Sequence, residues 1–134
     1  MSSTGRRVTE HRIMTVLDRH GLHYGTDDDG RIGSFHAGHL FRIGCVDGAL
    51  MIRTRWHRSV ESGRAPMLHA VLRRWASEDE RVQLTAVPWG QGLTVDAHCV
   101  SDRAGLTDRQ IHRHLTTAMD GSLRAFGLLD RLLE

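Results

Sequence analysis

The chain reads as an α+β fold, a mainly antiparallel sheet covered by helices in the order α-ββββ-α-ββ-α. Three observations predict it. Two stretches repeat a face at i, i+3, i+4 and i+7, and a third, longer one carries a broad apolar stripe, the marks of helices. Between them lie runs in which apolar and polar residues alternate, as on a half-buried strand. The strands come in groups rather than singly between helices, so short turns join antiparallel neighbours.

The first helix is expected over Thr9 to His20, with Ile13, Val16, Leu17 and His20 on one face. Thr9 can cap its first turn, and Gly21 supplies the left-handed residue that ends it. Leu22 and Tyr24 then alternate, Asp27-Asp28-Asp29-Gly30 makes a turn, and Ile32 resumes an extended run. From His39 to Val46, Phe41, Ile43 and Cys45 share one strand face while Leu40, Arg42 and Val46 lie on the other. Asp47-Gly48 is a strong hairpin signal, since both residues tolerate positive φ. The return strand, Ala49 to Arg55, sets Leu50, Ile52 and Thr54 against Met51, Arg53 and Arg55.

Arg55 to Arg64 reads as a polar connection. Pro66 suits a helix first turn, and Leu68, Val71, Leu72 and Trp75 carry that helix to about Ser77. Val82, Leu84 and Ala86 alternate in a strand that Pro88 is expected to end. Leu93, Val95, Ala97 and Cys99 return after a turn at Trp89 to Gly92. Thr107 and Gln110 match a capping box. The helix they open runs to about Leu133, with Ile111, Leu115, Met119, Ser122, Phe126, Leu129 and Leu133 as its stripe. Gly121 and Gly127 interrupt it, for close packing or a bend.

The 134 residues suit one domain, placed at 8–134 behind a disordered leader at 1–7. With 40% hydrophobic and 25% charged residues the chain can build a core, which argues against intrinsic disorder. No apolar run approaches the ~20 residues of a membrane span. The arginines at 6 and 7 have no apolar region behind them, so no signal peptide is read and the cytoplasm is the expected location. Cys45 and Cys99 are then expected as free thiols. All 18 basic residues are arginine and the net charge is +2, too small to argue for nucleic acid alone.

The search for chemistry finds no nucleophile elbow, phosphate loop, dinucleotide fingerprint or paired-cysteine motif. Without lysine there is no Schiff-base chemistry. His36 and His39 lack further ligands at zinc spacing and read as loop residues. His112 and His114 lie roughly 200° apart around a helix and cannot share an ion. Asp27 to Gly30 begins like a calcium loop but lacks the closing glutamate, so it reads as a turn. No catalytic residue, metal or cofactor is expected, and the protein is not read as an enzyme. The densest patch is Arg53, Arg55, Trp56, His57 and Arg58. Such a patch can anchor an acidic protein surface or grip a phosphate backbone, and it can equally be a solvated strand face.

The order of motifs resembles the YbjN family, bacterial proteins described as sensory-transduction regulators. The resemblance rests on Val8-Thr9 through Tyr24 with the Asp28-Asp29-Gly30 turn, and on Gly38-His39-Leu40-Phe41. It continues in Leu50 through Arg58 and in Gly105 to Gln110 with the helix to Leu133. It implies the fold of type III secretion chaperones, which commonly dimerise and hold an extended client segment, and it implies no active site. One departure is Arg73, Arg74 and Ala76 around Trp75, where relatives carry asparagines. The functional expectation is a non-catalytic adaptor or chaperone-like regulator of a client protein, acting as a homodimer through the stripe Ile111 to Leu133. The alternative is a nucleic-acid-binding regulator using the Arg53 to Arg58 patch.

Overall fold

The computed structural model describes residues 5–79 and 81–133. Arg6 and Arg7 are not part of a disordered leader: they form β1 (Arg6–Arg7), antiparallel to β9 (Gly105–Leu106). The rest of the expected leader, residues 1–4, lies outside the described residues. Arg12 is the physical reason for the correction. One guanidinium nitrogen donates to the carbonyls of Arg6 and Arg7 at 2.8 and 3.0 Å. The other donates to the Leu106 carbonyl at 2.6 Å and to Asp108 Oδ1 at 2.9 Å. Arg12 belongs to α1 (Glu10–Arg19), which starts at Thr9, whose hydroxyl accepts the Arg12 N–H, and stops before Gly21 at φ 65°.

The remaining elements are β2 (Gly25–Thr26), β3 (Ile32–His36), β4 (His39–Val46), β5 (Ala49–Arg55), β6 (Val60–Glu61), α2 (Ala65–Glu78), β7 (Gln83–Trp89), β8 (Gly92–Val100) and α3 (Asp108–Leu132). The large sheet runs β2-β3-β4-β5-β8, every pair antiparallel, with β7 on the far edge of β8. Asp47 at φ 51° and Gly48 at φ 83° close the β4–β5 hairpin, the backbone that this dipeptide favours.

Two stretches depart from expectation. The connection after Arg55 contains β6, which pairs with the same strand as β5, Val60 opposite Leu93. Trp56 N–H still donates to the Val95 carbonyl, the chain then leaves the ladder, and the Thr94 hydroxyl bonds the Arg58 carbonyl at 2.7 Å. β7 also continues through Pro88 to Trp89 instead of ending there. It has a strand neighbour on one side only, and an edge strand tolerates proline.

All three helices pack on one face of the sheet. Ile13 and Leu17 of α1 meet Phe41, Ile43, Leu50 and Ile52, with Ile111 and Leu115 of α3. Further along, Leu68 and Trp75 of α2 meet Val95, Ala97, Phe126 and Leu129. The 25 residues of α3, about 37 Å long, join both clusters. Thr107 and Gln110 make both bonds of the capping box at its start. Every residue of the α3 stripe is buried inside this one chain, so the seam expected to form a homodimer is already used. Among the described residues no helix is long and apolar enough to cross a membrane.

Candidate functional site

Strand alternation leaves the second face of the sheet without helices. β4 turns Leu40, Arg42 and Val46 outward, β5 turns out Met51, Arg53 and Arg55, and β8 turns out Asp96, His98 and Val100. Phe35 of β3 stands opposite Leu40. Among the described residues, the large apolar residues that are strongly exposed are Phe35, Leu40, Val46, Met67, Trp89, Val100 and Leu132. All but Met67 and Leu132 lie on this face, and Phe35 is 74% exposed. Phe35 and Leu40 adjoin as a cross-strand pair, while Val46, six residues along β4 from Leu40, Val100 and Trp89 stand at other positions of the same face.

Charge on the face is unevenly matched. Arg55 grips Asp96 in a two-point pair, at 2.7 and 3.1 Å, and its guanidinium lies 5.1 Å from the Trp89 ring centre. Trp89, expected to pack in a turn, is therefore a surface residue, 54% exposed. Arg42 and Arg53 are direct cross-strand partners, and neither makes an ion pair among the described residues. Two shallow hollows adjoin them. One of about 530 Å³ lies between Tyr24, Phe35, Leu40 and Arg42, and one of about 350 Å³ between Leu40, Arg42, Arg53 and Asp96.

The patch singled out from sequence does not stay together. Arg53 and Arg55 lie on the open face. Trp56 is a correction: it is 3% exposed in the helix-side core, and its indole N–H donates to Asp130 Oδ1 of α3 at 2.9 Å. Arg58 approaches the same carboxylate at 3.5 Å, and the His57 ring sits edge-on to His39 at 5.4 Å. Trp56, His57 and Arg58 thus close one end of the helix layer. Phe35, Leu40, Arg42 and Trp89 were missed. The signal for the first three was present in the strand alternation, since three helices cannot cover both faces of a sheet this wide.

Two further polar clusters lie away from this face. Cys99 Sγ lies 3.4 Å from His114 Nε2 beside a hollow of about 380 Å³ that Arg81, Gln83 and Asp102 also line. Burial, then Asp102 and Asp79, push the Cys99 thiol up, and burial pushes the His114 imidazole down. Both groups are therefore held neutral, the opposite of an activated thiolate. His20 and His112 stack at 3.5 Å between α1 and α3, a pairing invisible in their sequence spacing. Cys45 and Cys99 are free thiols. Among the described residues, no three His, Cys, Asp or Glu side chains are grouped to hold a metal ion.

The family model of YbjN, described as "Putative bacterial sensory transduction regulator", matches residues 9–131. The chain belongs to the YbjN family. Its fold is similar to the crystal structure of YbjN from E. coli, described as "a putative transcription regulator". The TM-score is 0.78 at 12% identity, over 95% of each chain. Identity that low speaks for shared architecture alone. No curated protein matches the chain. Around Trp75, Arg73, Arg74 and Ala76 are exposed to solvent, while the buried Trp75 indole donates to the Val82 carbonyl at 2.9 Å.

Proposed function

We propose that this YbjN-family protein is a non-catalytic adaptor, chaperone-like in action, that holds a segment of a client protein on the open face of its sheet. The observation that carries this reading is that the exposed Phe35, Leu40, Val46, Trp89 and Val100 all lie on the one face the helices leave bare, with Phe35 and Leu40 paired across strands. Likeness of the family to secretion chaperones supports it, as does the neutral state of the Cys99–His114 pair. The contact residues are Arg53 and Arg55 from the sequence patch, joined by Phe35, Leu40 and Arg42. The test is chemical cross-linking in native extract with wild type and Phe35→Asp. A client lost with Phe35→Asp supports the reading. Identical cross-links from both proteins would overturn it.

A regulator that binds nucleic acid is favoured by one observation, the unpaired Arg42 and Arg53 side by side. These two guanidinium groups, with Arg31 beside the adjoining hollow, neutralise few phosphates, and Arg55 is already matched by Asp96, so affinity from this face would be small and steeply salt-dependent. A gel-shift assay at low salt decides it: retention of DNA or RNA that Arg42→Glu/Arg53→Glu abolishes would replace the client reading.

A further inference from the structure

The open face carries more information than its apolar character. Arg42 and Arg53 stand directly opposite each other across β4 and β5. Like charges so placed repel. Among the described residues neither makes an ion pair. The acceptor on this face, Asp96, is held at two points by Arg55, and Asp27 beside the neighbouring hollow accepts the backbone N–H groups of Asp29 and Arg31. Next to the arginine pair, Phe35 and Leu40 form the cross-strand pair one step along the same face. The two hollows share Leu40 and Arg42 in their linings, so they adjoin across these side chains.

Resting on the reading of this face as a client-binding surface, we infer that the segment it takes is extended and acidic, with an apolar side chain two positions from a carboxylate. The apolar group seats among Tyr24, Phe35 and Leu40, and the carboxylate bridges Arg42 and Arg53. The spacing supports this match. Leu40 and Arg42 are two residues apart on one strand, about 6.7 Å, and an extended peptide repeats its own side chains on one side at that interval. Asp96 sets the register, because it repels a carboxylate that slides toward Arg55. A nucleic acid is the poorer occupant, since its phosphates need a long row of cations, and Arg42, Arg53 and the Arg31 that lines the first hollow are a small group set beside the apolar Phe35 and Leu40.

The test uses three fluorescein-labelled peptides of about eight residues. They share their apolar positions and differ only in carrying Glu, Gln or Lys two residues away. Fluorescence anisotropy measures each against wild type, Phe35→Ser and Arg42→Glu/Arg53→Glu. The Glu peptide is expected to bind wild type about tenfold tighter than the Gln peptide, and to weaken several-fold in high salt. The double variant should prefer the Lys peptide, and Phe35→Ser should weaken all three. If the three peptides bind wild type equally and all depend on Phe35, the acidic preference is overturned while the client-binding face stands. If none binds, or Phe35→Ser changes nothing, both fall. Tighter binding of a single-stranded oligonucleotide would make nucleic acid the occupant. A mass that doubles with concentration, and fails to in Phe35→Ser, would make it a second copy of the chain. Either result overturns the inference.

Discussion

On the helix side β4 presents Phe41 and Ile43, exposed by no more than 3%, while one residue along, the same strand presents Arg42 to water and Leu40 and Val46 partly so. β5 repeats the contrast, Leu50 and Ile52 against Arg53 and Arg55. Alternation alone is symmetric: it says that a strand has two kinds of face without saying how either is used. Helix count breaks the symmetry here. Three helices, one of them 25 residues long, suffice to roof one face, and the other keeps its apolar side chains uncovered among the described residues. Stability is thus concentrated on one side of the sheet and recognition is proposed for the other, so substitutions on the two sides should act on different quantities.

The largest effect is expected from the covered side. Phe126 is 2% exposed in the layer where α3 meets α2 and the sheet. Phe126→Ala should cost about 3–5 kcal/mol, lost contacts plus the cavity left behind, read as a lowered midpoint in urea unfolding. A cost below about 1 kcal/mol would mean that the two clusters are not joined through α3.

Next comes the edge where both layers are tied to the N-terminal strand. Arg12→Ala removes four hydrogen bonds and leaves three carbonyls and Asp108 short of a donor, a loss of roughly 2–3 kcal/mol. It should also change the acid limb of stability. The hydrogen bond from Arg12 is the main force holding the Asp108 carboxyl below its ordinary range. For Asp79, burial pushes the carboxyl up, but bonds from the Arg81 backbone and side chain and the charge of Arg124 outweigh it. A carboxyl held low in the folded chain binds its proton more readily when unfolded, so its contribution is complete at neutral pH. It is lost as pH falls below the ordinary carboxyl value of about 3.9. Acid titration followed by circular dichroism should show a shallower acid limb in Asp108→Asn and Arg12→Ala than in wild type.

Much of this covered side was legible, because it follows local rules. The Thr9 cap, the Thr107–Gln110 box, the Asp47-Gly48 turn and the α3 stripe each occupy a few neighbouring residues, and the structure keeps all of them. Trp56 was legible too, since the alternation of Leu50, Ile52 and Thr54 continues onto it and points it inward; its arginine neighbours drew attention to the wrong face. What stayed hidden depends on distant partners. The β1 strand at Arg6–Arg7 exists because Gly105–Leu106 and Arg12 receive it, and β6 exists because β8 is long enough to pair with two strands along one edge. Pro88 could remain in a strand only because β7 is an edge, which is a property of the whole sheet.

A smaller effect separates the two glycines of α3. A Cβ on Gly121 would stand 2.8 Å from Cγ2 of buried Val82, a stiff β-branched side chain that cannot swing away, whereas Gly127 has open space. Gly121→Ala should therefore destabilise by about 1–2 kcal/mol, and Gly127→Ala should stabilise by close to 1 kcal/mol. Thermal melts of the two variants should move in opposite directions. A shared direction would place α3 further from the Val82 strand approach than the structure has it.

The smallest change in stability belongs to the open face, and it sharpens the comparison most. Phe35→Ser alters a side chain already largely in water and should move stability by less than about 0.5 kcal/mol. Arg42→Glu goes further. It turns a repelling cross-strand pair into an attracting one, so the folded protein should gain a few tenths of a kcal/mol. The same change should weaken the acidic segment proposed to bind there. A variant that is more stable yet binds less would mean that the arginine pair is kept against the interest of folding, which is the mark of a surface retained for a partner. Urea unfolding of Arg42→Glu beside its peptide affinity measures both at once, and a loss of stability in that variant would show the pair to be part of the scaffold instead.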